Sequence, residues 1–306
     1  MTKRILAAAL AASLLSTTAH AAPVAADLLA QYNLIVLGDA TVSSETEGTV
    51  FVGGDLTSDG VYGVNPDRLP NGAEFGASLV VGGDLLGAQY GGVRVFEGDI
   101  VIGGNANGRL YNNDGGTITN APVNVSGVAT AMHGLSTDLA RLVDTGGSIT
   151  GGQNAVLTSA AGADGIAVFD LDASFFSGVS NLSFATGGTT TVVNVSGTDI
   201  DLGGGFNFNG PFADVIFNFY EAETIDIGAA FSASLLAPDA AARFTGGRIE
   251  GSVVVGSLFQ TVEVDGPLFM GDLGGAPVPL PAPALLMATG LAGLVGARRA
   301  RKAQEA

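Results

Sequence analysis

The chain contains no cysteine and no tryptophan, and only two of its 306 residues are histidine. Without cysteine there is no disulfide framework and no thiol nucleophile, so the stability of the fold must come from packing. One histidine, His20, lies close to the N-terminus, which leaves His133 as the only imidazole in the rest of the chain. A single imidazole without thiols argues against a zinc site and against thiol catalysis. We interpret His133 as a surface or packed residue of a helix, and we assign no catalytic residue and no metal ligand.

Lysine is absent between residues 22 and 282, where six arginines face 28 acidic residues. The net charge of this stretch is −22, compared with −17 for the whole chain. Such a surface repels nucleic acid and anionic membranes, so we expect no nucleic-acid partner and membrane contact only through the terminal segments. The acidic surface could hold Ca²⁺, but the Gly-Gly-Asp units of the chain lack the nonapeptide spacing of calcium-binding repeats. No cofactor is therefore predicted.

Residues 1–21 have the three parts of a secretory signal peptide. A basic start at Lys3 and Arg4 precedes an apolar stretch over residues 5–15 and a small-x-small sequence. This order predicts export across the inner membrane. The residues of the predicted cleavage site are Ala19, Ala21 and Ala22.

The C-terminal end reads as a sorting segment. Residues 275–283 form a Pro- and Gly-rich linker, and residues 284–306 contain a short apolar run followed by basic residues. The run is shorter than the roughly 20 residues that span a bilayer comfortably, and the basic end favours the cytoplasmic side. We predict a short transmembrane helix, either cleaved later or retained as a permanent anchor. The linker carries Val278, Pro279, Leu280, Pro281 and Ala282, and the basic cluster is Arg298, Arg299, Arg301 and Lys302.

This C-terminal arrangement resembles the VPLPA-type sorting signals of Gram-negative bacteria, which exosortase-like membrane proteases process. The resemblance covers about the last thirty residues. It implies an exosortase-like protease as a partner and cleavage close to the Pro-rich motif. It also implies a transient membrane anchor, followed by location at the envelope surface or outside the cell. In that family such tails often accompany exopolysaccharide production.

The stretch from residue 22 to residue 274 repeats short β-branched strands that end in glycine. The clearest units cover residues 50–56, 79–85 and 100–106, with a looser fourth copy at residues 252–258. Their spacing of 29 and 21 residues lies in the range of solenoid coils, in which stacked turns build one core. We therefore predict a mainly β domain folded as a right-handed parallel β-helix. A two-sheet β-sandwich is the alternative.

One segment, residues 128–143, departs from the β pattern. Met132, Leu135, Leu139 and Leu142 follow three- and four-residue spacing, which predicts an amphipathic helix packed along the solenoid. Asparagine ladders are expected on neighbouring turns, and phenylalanines are expected to fill the C-terminal core. The asparagines are Asn124, Asn194, Asn207, Asn209 and Asn218, and the phenylalanines are Phe206, Phe208, Phe212, Phe217 and Phe219.

The order of segments within this domain resembles the choice-of-anchor A domain. The resemblance rests on residues 32–39, 48–55, 234–240 and 247–254, and it covers most of the chain from Tyr32 to Leu273. It implies an adhesive β-solenoid module whose members carry different C-terminal anchors. It supplies no catalytic residue.

Two classes of function follow from these observations. The first is an exported, non-enzymatic, adhesin-like or extracellular-matrix protein that engages exopolysaccharide, surface glycans or its own copies. The alternative is a glycan-active β-helix enzyme with paired carboxylates, for which Asp199 with Asp201 and Asp170 with Asp172 alternate along strands. A weaker option is ice or mineral binding, indicated only by the run over residues 189–191.

Overall fold

The chain folds as a parallel β-helix in which each turn contributes strands to three faces. The computed structural model describes residues 24–64, 77–87, 92–113, 116–203, 207–210 and 212–273. These residues belong to one compact unit, Pro23–Pro279. Within them only one strand pair is antiparallel, so the predicted β-helix is confirmed and the β-sandwich alternative is wrong. None of the helices in this described part is long and apolar enough to cross a membrane.

We name the three faces A, B and C in the order in which a turn visits them. Strands β22 and β24 are long enough to run from face A onto face B. Face A comprises β1 Leu34–Val36, β4 Val50–Val52, β7 Ala77–Val81, β10 Asp99–Ile102, β12 Ile118–Asn120, β15 Ala167–Asp172, β17 Thr191–Ser196, β20 Phe212–Asn218 and the first parts of β22 Ala233–Phe244 and β24 Val253–Gln260. Face B comprises β2 Ala40–Val42, β5 Leu56–Ser58, β8 Leu85–Gly87, β18 Asp199–Leu202, β21 Thr224–Ile227 and the second parts of β22 and β24.

Face C holds the remaining strands. Six of them form one sheet, and four form another near the start of the C-terminal half. The six are β3 Glu45–Thr46, β6 Val61–Tyr62, β9 Val93–Val95, β11 Leu110–Asn112, β23 Ile249–Glu250 and β25 Val264–Asp265. The four are β13 Ser148–Thr150, β14 Asn154–Thr158, β16 Asn181–Ala185 and β19 Asn207–Phe208. The helices are α1 Ala25–Leu29, α2 Val125–Leu139 and a 3₁₀ helix at Ala173–Gly178.

The turns do not stack in the order of the sequence. Along face A the strands follow the order β12-β10-β7-β4-β1-β24-β22-β20-β17-β15. The chain therefore starts in the middle of the solenoid, builds outward to β12, and resumes at the opposite end with β15. It finally returns to the middle, where β24 pairs with β1 in the register Leu34↔Val253. The looser fourth repeat thus closes the solenoid against the first turn, and we call this junction the seam.

Face A buries side chains on both sides of its strands. Leu34 and Val36 point into the solenoid core, whereas Ile35 belongs to a second cluster formed with the helices. This double burial explains why these strands are continuous apolar runs instead of alternating ones. Helix α2 contributes Val128, Met132, Leu135 and Leu139 to the second cluster.

Helix α2 begins and ends earlier than the sequence predicted. Asn124 caps it, because its side-chain oxygen accepts a hydrogen bond from the Gly127 amide at 3.1 Å. Asparagine at this position satisfies one of the amides that the first turn leaves unpaired. Leu142 lies beyond the helix and still packs, partly buried, against the same cluster. The predicted role of the helix as a cover for apolar strands is confirmed.

Each residue of the Gly-Gly-Asp units has a separate role at the corner between faces A and B. A Cβ atom on Gly82 would lie 2.3 Å from the Gly53 carbonyl oxygen of the previous turn. A Cβ atom on Gly83 would lie 2.3 Å from Asp55 Oδ1. That same oxygen accepts a 2.7 Å hydrogen bond from the Asp84 amide, and the pattern repeats from Asp39 to Asn105. The glycines let successive turns approach, and the carboxylates bond the turns together.

We expect Gly82→Ala to lower the free energy of unfolding by about 1–3 kcal/mol, because the backbone it would strike cannot yield without separating two turns. The control is Gly134→Ala in α2, where an added Cβ meets nothing within 4 Å. Replacing a glycine inside a helix should raise stability by roughly 0.5–1 kcal/mol. Denaturant unfolding of both variants checks the pair. Equal losses of stability in the two variants would show that the close stacking of turns at the corner does not cause the loss in Gly82→Ala.

Candidate functional site

Helices α1 and α2 pack against face A and, within the described residues, leave face B uncovered over β21, β22, β24 and β2. Alternate residues of its strands point outward and line up in register from turn to turn. Neighbouring side chains in such a column are separated by about 4.7–4.9 Å. One outward column consists of Asp201, Asp226, Arg243, Phe259, Thr41, Thr57 and Leu86.

The middle of this column forms a shallow depression of about 380 Å³. Its floor is lowered by small residues in the neighbouring column, Thr224, Ala241 and Ser257. The Arg243 guanidinium lies 4.8 Å from the centre of the Phe259 ring, and Arg243 Nε is 3.7 Å from Asp226 Oδ2. Both charged side chains remain more than half exposed. An exposed aromatic ring, hydrogen-bond donors and acceptors therefore lie together in one shallow depression, and we call Asp226, Arg243 and Phe259 the face-B cluster.

The paired carboxylates Asp199 and Asp201 share the outer side of β18, as predicted. They border an open groove of about 510 Å³ against the 3₁₀ helix. Asp199 accepts hydrogen bonds of 2.9 Å from the hydroxyls of Thr198 and Thr224.

The second predicted pair, Asp170 and Asp172, serves local structure. Asp172 caps the 3₁₀ helix, since its side chain accepts a 2.9 Å hydrogen bond from the Ser174 amide. Hydrogen bonds from the Ser174 side chain and backbone lower the pKa of Asp172. Asp170 accepts a hydrogen bond from Asn194 at 3.3 Å.

The asparagine ladder is confirmed for part of the predicted set. Asn218 Nδ2 donates to Asn194 Oδ1 at 2.9 Å, and both residues are buried. Asn207 stands in register with Asn181 on face C, and Asn181 donates to Asn154 at 2.7 Å. Asn124 and Asn209 were wrongly assigned to ladders: the first caps α2, and the second lies exposed after β19.

Other predicted residues have ordinary structural surroundings. His133 lies on the surface of α2, with Nε2 3.1 Å from Asp239 Oδ1 and Nδ1 2.7 Å from the Ala129 carbonyl oxygen. Thr190 and Thr191 are buried, so the threonine run does not form an exposed row. Phe208, Phe217 and Phe219 are buried in the solenoid core, and Phe212 packs against them.

Several predictions concern residues that lie outside the described part of the chain. They are the cleavage site at Ala19, Ala21 and Ala22, the motif over residues 278–282, the basic cluster at residues 298–302, and Phe206. The face-B cluster, by contrast, was not predicted. Its members come from three strands and adjoin only when the register of the turns is known.

Comparisons with solved structures give distant similarities. The chain is 16% identical to an ice-binding protein from an Antarctic bacterium of the Flavobacteriaceae, with 78% of each chain covered and a TM-score of 0.31. It is 13% identical to an ice-binding protein from the Antarctic ascomycete Antarctomyces psychrotrophicus, covering 81% of this chain and 98% of that one, with a TM-score of 0.31. No curated protein matches the sequence.

A family model covers most of the solenoid. The model described as "Putative Ice-binding-like adhesive domain" matches residues 25–266. This range includes every strand of the three faces, both sides of the seam and the face-B cluster. The chain therefore belongs to the family of ice-binding-like adhesive domains.

Proposed function

We propose that this protein is an exported, non-enzymatic adhesive module that binds a neutral glycan through face B. The observation that carries the proposal is the face-B cluster, which lines an exposed, shallow depression on the solenoid. Membership of an adhesive family supports the general class. The choice-of-anchor A resemblance remains part of the proposal and accounts for a binding domain joined to a separate anchoring tail.

The chemistry of the face-B cluster suits a sugar ring. Sugars present hydroxyl pairs, which a carboxylate accepts and a guanidinium donates to, alongside apolar C–H faces that pack on an aromatic ring. Phe259 is 36% exposed, and the neighbouring small residues leave room above the sheet. The net charge of −22 between residues 22 and 282 disfavours an acidic polysaccharide. A neutral glycan is therefore the better match.

The terminal segments support an adhesive role at a surface. Residues 1–21 would direct export, and residues 278–282 would present the chain to an exosortase-like protease before release or attachment at the envelope. Many copies fixed to one surface bind a repeating polymer with far greater avidity than one copy. A shallow site of modest affinity is adequate for such an adhesin or matrix component.

We expect Arg243→Ala combined with Phe259→Ala to weaken binding to an immobilised neutral β-glucan at least about tenfold, which corresponds to about 1.4 kcal/mol. Both side chains are exposed, so the fold should remain intact. The matched control is Arg94→Ala with Tyr111→Ala on face C, where an arginine lies 5.8 Å from an aromatic ring. The control should bind like the wild type. Surface plasmon resonance with the β-glucan, and with alginate for comparison, measures the difference.

Three other results would count against the proposal. An equal loss in the face-C control would show that face B is not the binding surface. Release of soluble oligosaccharides from the glucan would indicate a glycan-active enzyme, for which Asp199→Asn and Asp201→Asn are the next variants. Thermal hysteresis of purified protein would favour ice, although the column of Thr41 and Thr57 continues into Phe259, Arg243 and Asp226 instead of further threonines.

A further inference from the structure

A cluster of carboxylates forms on face C where the two ends of the solenoid meet. Glu45 and Glu47 belong to the first turn, and Glu263 precedes β25, the strand that pairs with β3 in the register Thr46↔Val264. One carboxylate oxygen from each of these three residues lies within 4.8 Å of the other two. The ligand set therefore exists only when the seam is closed.

A further carboxylate, the buried side chain of Asp265, lies next to this cluster. Its side chain is wholly buried, and one oxygen, Oδ2, is bonded to Arg248 Nη2. The other oxygen, Oδ1, receives no hydrogen bond from an amide, hydroxyl or guanidinium group of the described residues. Leaving a buried charged acceptor unpaired is costly, so this oxygen indicates a missing positive partner.

The charges around Asp265 are poorly balanced. Burial raises the pKa of Glu45, and repulsion from Glu47 and Asp265 raises it further. Burial also raises the pKa of Glu263, and the adjacent Asp265 carboxyl adds to this effect. Both shifts place Asp265 within electrostatic reach of the cluster. Arg248 supplies a single positive charge, which it also shares with Glu250 at 3.9 Å.

We propose that Glu45, Glu47 and Glu263 bind one Ca²⁺ ion at the seam, beside the buried Asp265 carboxylate. Calcium takes oxygen ligands at about 2.3–2.6 Å, so oxygens on opposite sides of the ion are about 4.6–5.2 Å apart. Three oxygens that all lie within 4.8 Å of one another can occupy one such sphere. Magnesium needs oxygens at about 2.0–2.1 Å in strict octahedral geometry and retains several waters, which makes it the poorer occupant.

Such an ion would stabilise the solenoid at the seam, where the first turn pairs with the last strands. Glu45 and Glu263 lie 218 positions apart in the sequence and are brought together by folding alone. An ion that binds them in the folded state and not in the unfolded chain stabilises the fold by mass action. This inference concerns the seam and does not depend on glycan binding by face B.

Titrating the full-length, metal-free protein with CaCl₂ tests the site. We expect calorimetry to show one ion bound with a dissociation constant of about 10⁻⁴–10⁻³ M, as in extracellular modules. At 10 mM Ca²⁺ the Tm should rise by about 3–8 °C. NaCl at equal ionic strength should give a much smaller rise, and MgCl₂ a smaller rise than CaCl₂. An equal rise of the Tm in NaCl would show that calcium acts only by screening the negative charges, and this result would overturn the proposed site.

Variants that remove two carboxylates distinguish a specific calcium site at the seam from a general effect of the acidic surface. In Glu45→Gln with Glu263→Gln, we expect the Tm without calcium to rise, because repulsion is relieved, and the calcium-dependent rise to disappear. The matched control, Asp199→Asn with Asp201→Asn, removes two exposed carboxylates from face B and should keep the calcium response. Absence of calcium binding to the wild type, or loss of the response in the control, would overturn the proposal.

Discussion

Phe217→Ala is expected to lower the free energy of unfolding by about 3–5 kcal/mol, the range for removing a fully buried aromatic side chain. Phe217 in β20 is 0% exposed. Its ring lies at the centre of an aromatic group, with ring centres 5.4–6.3 Å away. The five surrounding rings are those of Phe176, Phe184, Phe208, Phe219 and Phe231.

The size of this effect follows from the position of the ring, because several turns of the C-terminal half meet around it. Removing it leaves a cavity that a backbone bonded to both neighbouring turns cannot collapse to fill. Urea unfolding followed by far-UV circular dichroism measures the loss. The control is Phe96→Ala, whose ring is 42% exposed and should cost less than about 1 kcal/mol. Similar losses in both variants would contradict a core organised around Phe217.

The sequence predicted the architecture because its local chemistry repeats. Gly82, Gly83 and Asp84 form a corner between faces A and B, and the same three residue types recur at the corner of the previous turn. The order of the turns could not be predicted in this way. The pairing of Leu34 with Val253 depends on contacts across most of the chain, and a repeat pattern does not specify which turn is the neighbour of the first.

Part of the candidate site could be predicted from the sequence for a similar reason. Asp199 and Asp201 were placed on one side of a strand because side chains alternate with a period of two. Asp226, Arg243 and Phe259 are separated by 17 and 16 residues, the length of one turn in this region. These residues are neighbours only because strands β21, β22 and β24 pair in this register. A search at the turn length would have found them once the solenoid was assumed.

Asn218→Ala is expected to lower the free energy of unfolding by about 2–4 kcal/mol, because the side-chain amide of Asn218 makes three buried hydrogen bonds. Asn218 is 0% exposed, accepts a 2.7 Å hydrogen bond from Ser136 Oγ, and donates 2.9 Å bonds to the Ser136 carbonyl and to Asn194 Oδ1. Asn194 in turn donates to the Leu139 carbonyl at 2.8 Å. The ladder thus ties the last turns of α2 to face A.

Two features of this variant distinguish a ladder that holds the helix from a simple packing defect. Hydrogen exchange should accelerate first at amides near the C-terminal end of α2, since the bond from Asn218 to the Ser136 carbonyl is lost and Asn194, which bonds the Leu139 carbonyl, loses its neighbour in the ladder. Asn207→Ala removes an exposed asparagine from the face-C column and should change stability by less than about 0.5 kcal/mol. If the two variants lose equal stability, or if exchange in α2 is unchanged, the buried amides do not anchor the helix. The helix would then be held by its apolar side alone, with Met132 and Leu135 packed against face A.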